Sequence, residues 1–89
     1  MTKLEEKLIE LGYKKQKKYW SPFIDKNVKE CWKENIHIII DRDTNKIIEN
    51  ASYVYAMLIE CYSQQEINNL QQAFNEMQKD LEELKLCQD

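Results

Sequence analysis

The spacing of apolar residues changes twice along the chain, from the period of a helix to that of strands and back again. The first apolar stripe consists of Leu4, Leu8 and Leu11. Thr2 and Glu5 have the spacing of a capping box at a helix start, and Gly12 is typical of the residue that follows a helix end. We therefore predict a first helix over residues 3–11.

Apolar and polar residues alternate through the middle of the chain, as they do in half-buried strands. Residues 13–20 predict an edge strand, because lysines fall on both of its faces and Pro22 follows it. A second strand is predicted over residues 29–40, with Trp32, Ile36, Ile38 and Ile40 on one face and Cys31, His37 and Ile39 on the other. The polar residues 41–45 then predict a hairpin turn.

The segment after this turn stays apolar and extended in pattern up to residue 60. At about 3.3 Å per residue it is too long for one straight strand, so we expect a bend near residues 50–52. For residues 51–62 the β-branched and aromatic content favours a strand. A helix capped by Asn50 is the alternative.

The last third of the chain has the clearest helical pattern. Its apolar stripe consists of Ile67, Leu70, Phe74, Met77, Leu81 and Leu84. Ser63 and Glu66 have the spacing of a second capping box, so a long helix is predicted over residues 64–86. Residues 1–89 thus predict a single α+β domain: a helix, a three- to four-stranded antiparallel meander, and a long C-terminal helix packed on the sheet.

The same stripe also has the heptad phase of a coiled coil. Packing on the chain's own sheet is one interpretation, and a structural homodimer joined along the six stripe residues is the other. In a parallel dimer, Asp80 would face Lys85 of the second copy.

Charge is unevenly distributed over the 89 residues, whose net charge is -3 at pH 7. Residues 1–33 hold nine lysines against five acids, and residues 34–89 hold four basic residues against eleven acids. Such separation can steer the chain toward a charged partner or toward a copy of itself. Three widely spaced cysteines match neither a disulfide framework nor a zinc site. No apolar stretch approaches the roughly 20 residues of a spanning helix, so we expect a cytoplasmic protein with no cofactor and no membrane association.

The lysine-rich strand suggests a single-stranded nucleic-acid-binding function as an alternative. Its candidate contacts are Lys14, Lys15, Lys17 and Lys18, which could follow a phosphate backbone while flanking aromatic rings stack on bases. The alternation of these lysines between two strand faces, together with a pI of 5.2, favours a solvated edge instead.

Catalytic and metal-binding patterns are weak. His37 is the single histidine, and because no motif places a nucleophile or an orienting acid beside it, we expect a structural histidine. Residues 41–45 begin like an EF-hand calcium loop, but Lys46 stands where that loop needs glycine and Ser52 where it needs glutamate. We therefore expect no metal site and no enzymatic activity.

If both helices cover one face of the sheet, apolar and aromatic side chains remain on the other face. The candidate partner-binding residues are Tyr19, Trp20, Trp32, His37 and Ile39. A patch of that kind larger than a few hundred Å² usually binds another protein. The leading hypothesis is therefore a non-enzymatic protein–protein interaction module.

The predicted C-terminal helix resembles, over EINNLQQAFNEMQKDLEEL, that of small uncharacterised phage and prophage proteins. The size, the acidity and the order of helix, strands and helix are similar to those of some phage-encoded anti-CRISPR and other anti-defence proteins. The resemblance implies a phage or prophage accessory protein that acts as an inhibitor by occupying a binding surface of a host protein. It carries no site residues.

Overall fold

A computed structural model describes residues 2–54 and 64–88. Its elements follow the predicted order of helix, strands and helix. They are α1 (Lys3–Glu10), β1 (Lys15–Ser21), β2 (Lys26–Lys33), β3 (Ile36–Asp41), β4 (Lys46–Ile47), a 3₁₀ helix (Glu49–Ala51), β5 (Tyr53–Val54) and α2 (Gln64–Lys85). The predicted α+β fold is confirmed.

The predicted capping box is present at the start of α1. The Thr2 hydroxyl accepts a hydrogen bond from the Glu5 backbone N–H at 3.2 Å, and the Glu5 carboxylate accepts one from the Thr2 backbone N–H at 3.0 Å. Backbone donors that a helix start leaves unpaired are thereby satisfied. The helix ends before Gly12, whose φ of 102° is one that residues with a side chain rarely adopt.

The described strands form one antiparallel sheet. β1 pairs with β2 and β2 with β3, while β4 and β5 share the remaining edge of β3 with the 3₁₀ helix between them. Within the described part of the chain β1 has a single neighbour, which confirms that it is an edge strand. The hairpin turn between β3 and β4 is confirmed, and the 3₁₀ helix supplies the expected bend.

The strand predicted over residues 51–62 can be compared with the structure only near its start, where β5 is extended as expected. Residues 55–62 lie outside the described residues, as does Ser63 of the second predicted capping box. The helix predicted over residues 64–86 is confirmed to within one residue by α2.

The single strand predicted over residues 29–40 is wrong, because the chain reverses direction within it, between β2 and β3. Glu34 in the intervening turn takes a left-handed φ of 51°. Residues that pair across neighbouring strands lie on the same face of the sheet. Because the chain turns here, the residues of β3 alternate between the two faces in the opposite order to that predicted for one continuous strand. Trp32 therefore pairs with His37 and lies on the face opposite that of the three isoleucines predicted to accompany it.

Both helices pack on one face of the sheet. The core consists of Leu4, Leu8, Tyr13, Cys31, Ile36, Ile38, Ile40, Met77, Leu81 and Leu84. Only the C-terminal half of the α2 stripe takes part, because Ile67, Leu70 and Phe74 are 49%, 41% and 50% exposed. Length accounts for this difference: the six residues of β3 span about 20 Å, whereas the 22 residues of α2 span about 33 Å.

A buried polar cluster joins the end of α1 to β2 and α2. Asp80 accepts a hydrogen bond from the Tyr13 hydroxyl at 2.8 Å and an ion-pair contact from Lys33 Nζ at 2.9 Å. Lys33 also pairs with Glu76 at 2.8 Å and donates to the Leu11 carbonyl at 2.9 Å. Burial, followed by the hydrogen bond to Asp80, raises the pKa of Tyr13. We refer to these side chains as the Asp80 cluster.

This cluster corrects one boundary. Tyr13 precedes β1 and lies in the core, outside the edge strand predicted over residues 13–20. Within this single chain Asp80 pairs with Lys33, and Lys85 pairs with Glu49 at 2.8 Å; the interchain pair of a parallel dimer stays a prediction.

Candidate functional site

The outer face of the sheet, turned away from the helices, carries most of the predicted partner-binding residues. By strand pairing it includes Tyr19, Trp32, His37 and Ile39. Trp20 is the exception, since it pairs with Asn27 and belongs to the helix-facing side. The five candidates therefore do not form one surface.

Ile39 further contradicts the expected exposed apolar patch, because it is only 4% exposed. Its backbone N–H donates to the Ser52 hydroxyl at 3.0 Å, and its carbonyl accepts from the Ile48 N–H at 2.8 Å. The segment that contains the 3₁₀ helix thus packs against β3 at this point. The outer face is not a continuous apolar docking surface.

Glu30 is the centre of a hydrogen-bond network on the outer face. Its carboxylate accepts from the hydroxyls of Tyr19 at 2.9 Å and Tyr53 at 3.1 Å, and from Nδ1 of His37. Burial on its own would raise the pKa of Glu30, but the three hydrogen bonds together lower it. Burial and the adjacent Glu30 raise the pKa of Tyr19 to about 12.

Three aromatic rings are stacked beside this carboxylate. The ring centroids of Trp32 and His37 are 5.9 Å apart, and those of His37 and Tyr53 are 4.6 Å apart, with interplanar angles of 15° and 4°. Both faces of the imidazole are therefore occupied by neighbouring rings. This stacking stabilises the sheet. The ring faces that contact each other are not available to stack on a nucleic-acid base.

The predicted structural role of His37 agrees with these contacts. Cys31, the described cysteine nearest in sequence, lies on the opposite face of the sheet, and burial raises the pKa of its thiol. The thiol is thereby kept in the unreactive protonated form, away from the imidazole.

The lysines of the edge strand are exposed, and none of them forms an ion pair with a carboxylate of residues 2–54 or 64–88. Lys15 and Lys17 belong to the outer face and Lys18 to the helix-facing side, while Lys14 precedes β1. Elsewhere in the described ranges Lys7, Lys26, Lys29, Lys33 and Lys85 all form ion pairs. Lys3, Arg42, Lys46 and Lys79 are also exposed and without an ion pair in these ranges, but each stands apart in the sequence. The four lysines of residues 14–18 are therefore the one run of unpaired positive charge among the described residues, and Lys17 Nζ lies 5.6 Å from the centre of the Tyr19 ring.

The opposite edge of the sheet is partly capped by the chain itself. The backbone N–H of Ile47 in β4 donates to the side-chain oxygen of Gln88, just beyond the end of α2. No side chain of the described residues forms a hydrogen bond of this kind with the backbone of β1. The two edges therefore differ in their capacity to accept a further strand.

Two large aromatic residues stand at the end of β1. Trp20 is 52% exposed, and Phe23, in the turn between β1 and β2, is 95% exposed. Phe23 is not among the partner-binding residues predicted from the sequence. A large apolar residue directly after Pro22, within a turn, is the signal that could have identified it.

The remaining predicted sites have structural roles. Met77, Leu81 and Leu84 are buried in the core. Of the six stripe residues predicted to join a homodimer, only Ile67, Leu70 and Phe74 therefore remain exposed. In the turn after β3, Asp41 accepts from the Asp43 backbone N–H at 2.8 Å and pairs with Lys26 at 3.1 Å. Its carboxylate therefore holds the hairpin together, and in residues 2–54 and 64–88 no group of acids, histidine and cysteine is placed to hold a metal ion.

The fold and these surfaces define a small α+β protein with one charged, open sheet edge. Comparison with protein-family models, with curated proteins and with solved structures finds no match. Among the helices that the structure describes, none is both long and apolar enough to cross a membrane.

Proposed function

We propose that this is a non-enzymatic interaction protein that binds an acidic, extended segment of a partner protein along β1. The observation that carries the proposal is the row of lysines without carboxylate partners on the open edge. An added strand would pair with the backbone groups of β1 and would bring its carboxylates next to these lysines.

The distribution of the lysines favours a strand as the ligand. β1 has seven residues and spans about 23 Å, and in an antiparallel sheet alternate residues of an outer strand direct their backbone groups away from the neighbouring strand. A strand added there projects side chains to both faces of the sheet. It can therefore contact Lys15 and Lys17 on one face and Lys18 on the other.

A second copy of the chain is a poor occupant of this edge. Two β1 strands side by side would place lysines opposite lysines, and like charges directly opposite each other destabilise a strand pair. The same lysines that discourage self-pairing leave the edge open to an acidic strand.

The test uses a labelled peptide of about eight residues, matched to the length of β1, with glutamates at successive positions so that both of its faces carry carboxylates. We expect binding by fluorescence anisotropy that weakens as salt is added, because exposed charges are screened. The triple variant K15Q/K17Q/K18Q should bind at least roughly tenfold more weakly. The matched control K3Q/K46Q/K79Q removes the same charge from exposed lysines elsewhere and should bind almost as well as the wild type.

A second peptide separates strand addition from simple charge attraction. Methylation of alternate backbone nitrogens keeps every carboxylate but removes the N–H groups that would pair with β1. We expect this peptide not to bind. Equal affinity of the methylated and unmethylated peptides would show that no strand is added.

Single-stranded nucleic acid is the second candidate, because Lys15 and Lys17 share the outer face with Tyr19, which is not part of the stack of Trp32, His37 and Tyr53. Binding of an oligonucleotide that is lost in K15Q/K17Q/K18Q, without binding of the acidic peptide, would favour it. The proposal of a phage or prophage origin rests on the resemblance of the C-terminal helix alone, and that of an anti-defence role on size, acidity and element order alone.

A further inference from the structure

Phe23 is held in water by a well-formed hairpin. The strands that flank its turn are paired up to Ser21 and Lys26, and Asp25 closes the turn with a left-handed φ of 55°. Burying a phenylalanine is favourable, and the fold leaves this one 95% exposed. Pro22 fixes one backbone angle beside it, so little freedom would be lost if Phe23 were bound.

The exposed ring follows the proposed binding edge in the direction of β1. Trp20 lies within β1, and Phe23 lies two residues beyond its last residue, in the turn to which the strand leads. A ligand strand that contacts the lysines would reach these two side chains next. Large aromatic side chains next to charged contacts are typical of the residues that dominate binding energy.

We infer that Trp20 and Phe23 are the apolar anchor of the β1 edge, and that the partner segment carries large apolar residues immediately before its acidic residues. This inference rests on the proposed function. The order follows from strand direction: antiparallel pairing is the more stable arrangement, and it places the N-terminal end of the ligand beside the C-terminal end of β1.

The charges around the turn favour a protein partner over an anionic lipid surface. Asp25 belongs to the turn itself, and the backbone N–H of Arg42 donates to the Asn27 carbonyl at 2.9 Å, so the β3–β4 turn lies at the same end of the sheet. Lys26 is already paired with Asp41. The turn that carries Phe23 therefore holds an acid of its own and no lysine, and the lysines of β1 lie at the side of the strand, so the vesicle experiment below tests the lipid alternative directly.

The test compares three labelled peptides: the acidic peptide alone, the same peptide preceded by Leu-Ile-Leu, and the same peptide followed by Leu-Ile-Leu. We expect the peptide with the preceding block to bind roughly tenfold more tightly than the acidic peptide alone, which corresponds to one buried aromatic contact. The peptide with the following block should gain little. Phe23→Ala should remove the gain while leaving the affinity for the acidic peptide unchanged.

Leu86→Ala is the matched control, because Leu86 is 86% exposed but lies just beyond α2, away from β1. It should leave all three affinities unchanged. If the acidic peptide binds and the preceding block adds nothing, or if the gain survives in Phe23→Ala, the anchor is wrong and the proposed function stands. If the acidic peptide itself fails to bind, both are wrong.

Vesicles of phosphatidylserine and phosphatidylcholine form the last arm of the test. We expect no sedimentation of the protein with them. Sedimentation that is lost in Phe23→Ala would overturn the inference and assign Phe23 to a membrane surface.

Discussion

Glu30 stabilises the outer face only in its ionised form, because the carboxylate accepts from three donors on β1, β3 and β5. The hydrogen bonds hold its pKa below the ordinary value of 4.5, despite the opposing effect of burial. A lowered pKa in the folded protein means that this stabilisation is present above about pH 4.5. It is lost as the pH falls through the lower pKa of the folded state.

Glu30→Gln should therefore make the protein less stable at neutral pH and less sensitive to acid. We expect a loss of about 1 to 2 kcal/mol in the free energy of unfolding at pH 7, because an amide cannot accept all three hydrogen bonds. Urea unfolding between about pH 6 and pH 3 should show the wild-type and variant curves converging. The other carboxylates contribute equally to both proteins. If the free energies of unfolding of the wild type and the variant fell with pH by the same amount, the role given to Glu30 would be wrong.

Asp80 is a second residue whose removal leaves polar groups unpaired in the interior. Asp80→Ala should cost about 3 kcal/mol of unfolding free energy, because the Tyr13 hydroxyl and part of the charge of Lys33 then lose their partner. Urea unfolding monitored by circular dichroism measures this loss. Glu76→Ala removes the other carboxylate beside Lys33, whose side chain is 52% exposed, and should cost less than about 1 kcal/mol. Equal losses would show that burial does not distinguish the two carboxylates.

At the scale of elements, local signals account for most of the fold. The capping box at Thr2, the polar turn after β3 and the 3.6-residue period of α2 each depend on residues close together in sequence, and each was predicted correctly. The sequence does not indicate the turn at Glu34, because glutamate rarely adopts a positive φ and because isoleucines continue the alternating pattern after the turn. The prediction of one continuous strand therefore placed Trp32 on the wrong face of the sheet.

The uneven burial of α2 gives a prediction with an internal control. Leu84→Ala should cost about 3 kcal/mol of unfolding free energy, because Leu84 is fully buried. Leu70→Ala makes the same change in the same helix at a partly exposed position and should cost under about 1 kcal/mol. Urea unfolding of both variants checks the difference. A large loss at Leu70 would mean that the N-terminal half of the stripe is covered in solution.

The whole molecule contains relationships that no local pattern could supply. The stripe of α2 is uniform in sequence, so its period could not show which half the short sheet covers. Tyr13 and Asp80 are 67 residues apart, and their hydrogen bond exists only because α1 and α2 pack on the same face. The candidate site was predictable in part: the basic edge strand was identified, whereas the expected apolar face was not, because Ile39 is covered by a backbone segment.

The sheet also separates charge in space. The free lysines follow β1 at one edge, while the acids of α2 lie on a helix that packs across one face. A dipolar surface of this kind orients a charged partner during approach more than it strengthens the final complex.

The difference between the two sheet edges has a consequence for storage and expression at high concentration. Exposed strand edges are the usual starting points of amyloid-like stacking between identical chains. Here like-charge repulsion protects β1, and the amide of Gln88 occupies a backbone donor of β4. The hydrogen bond from Ile47 to Gln88 therefore leaves one backbone donor fewer on this edge for pairing with an identical chain.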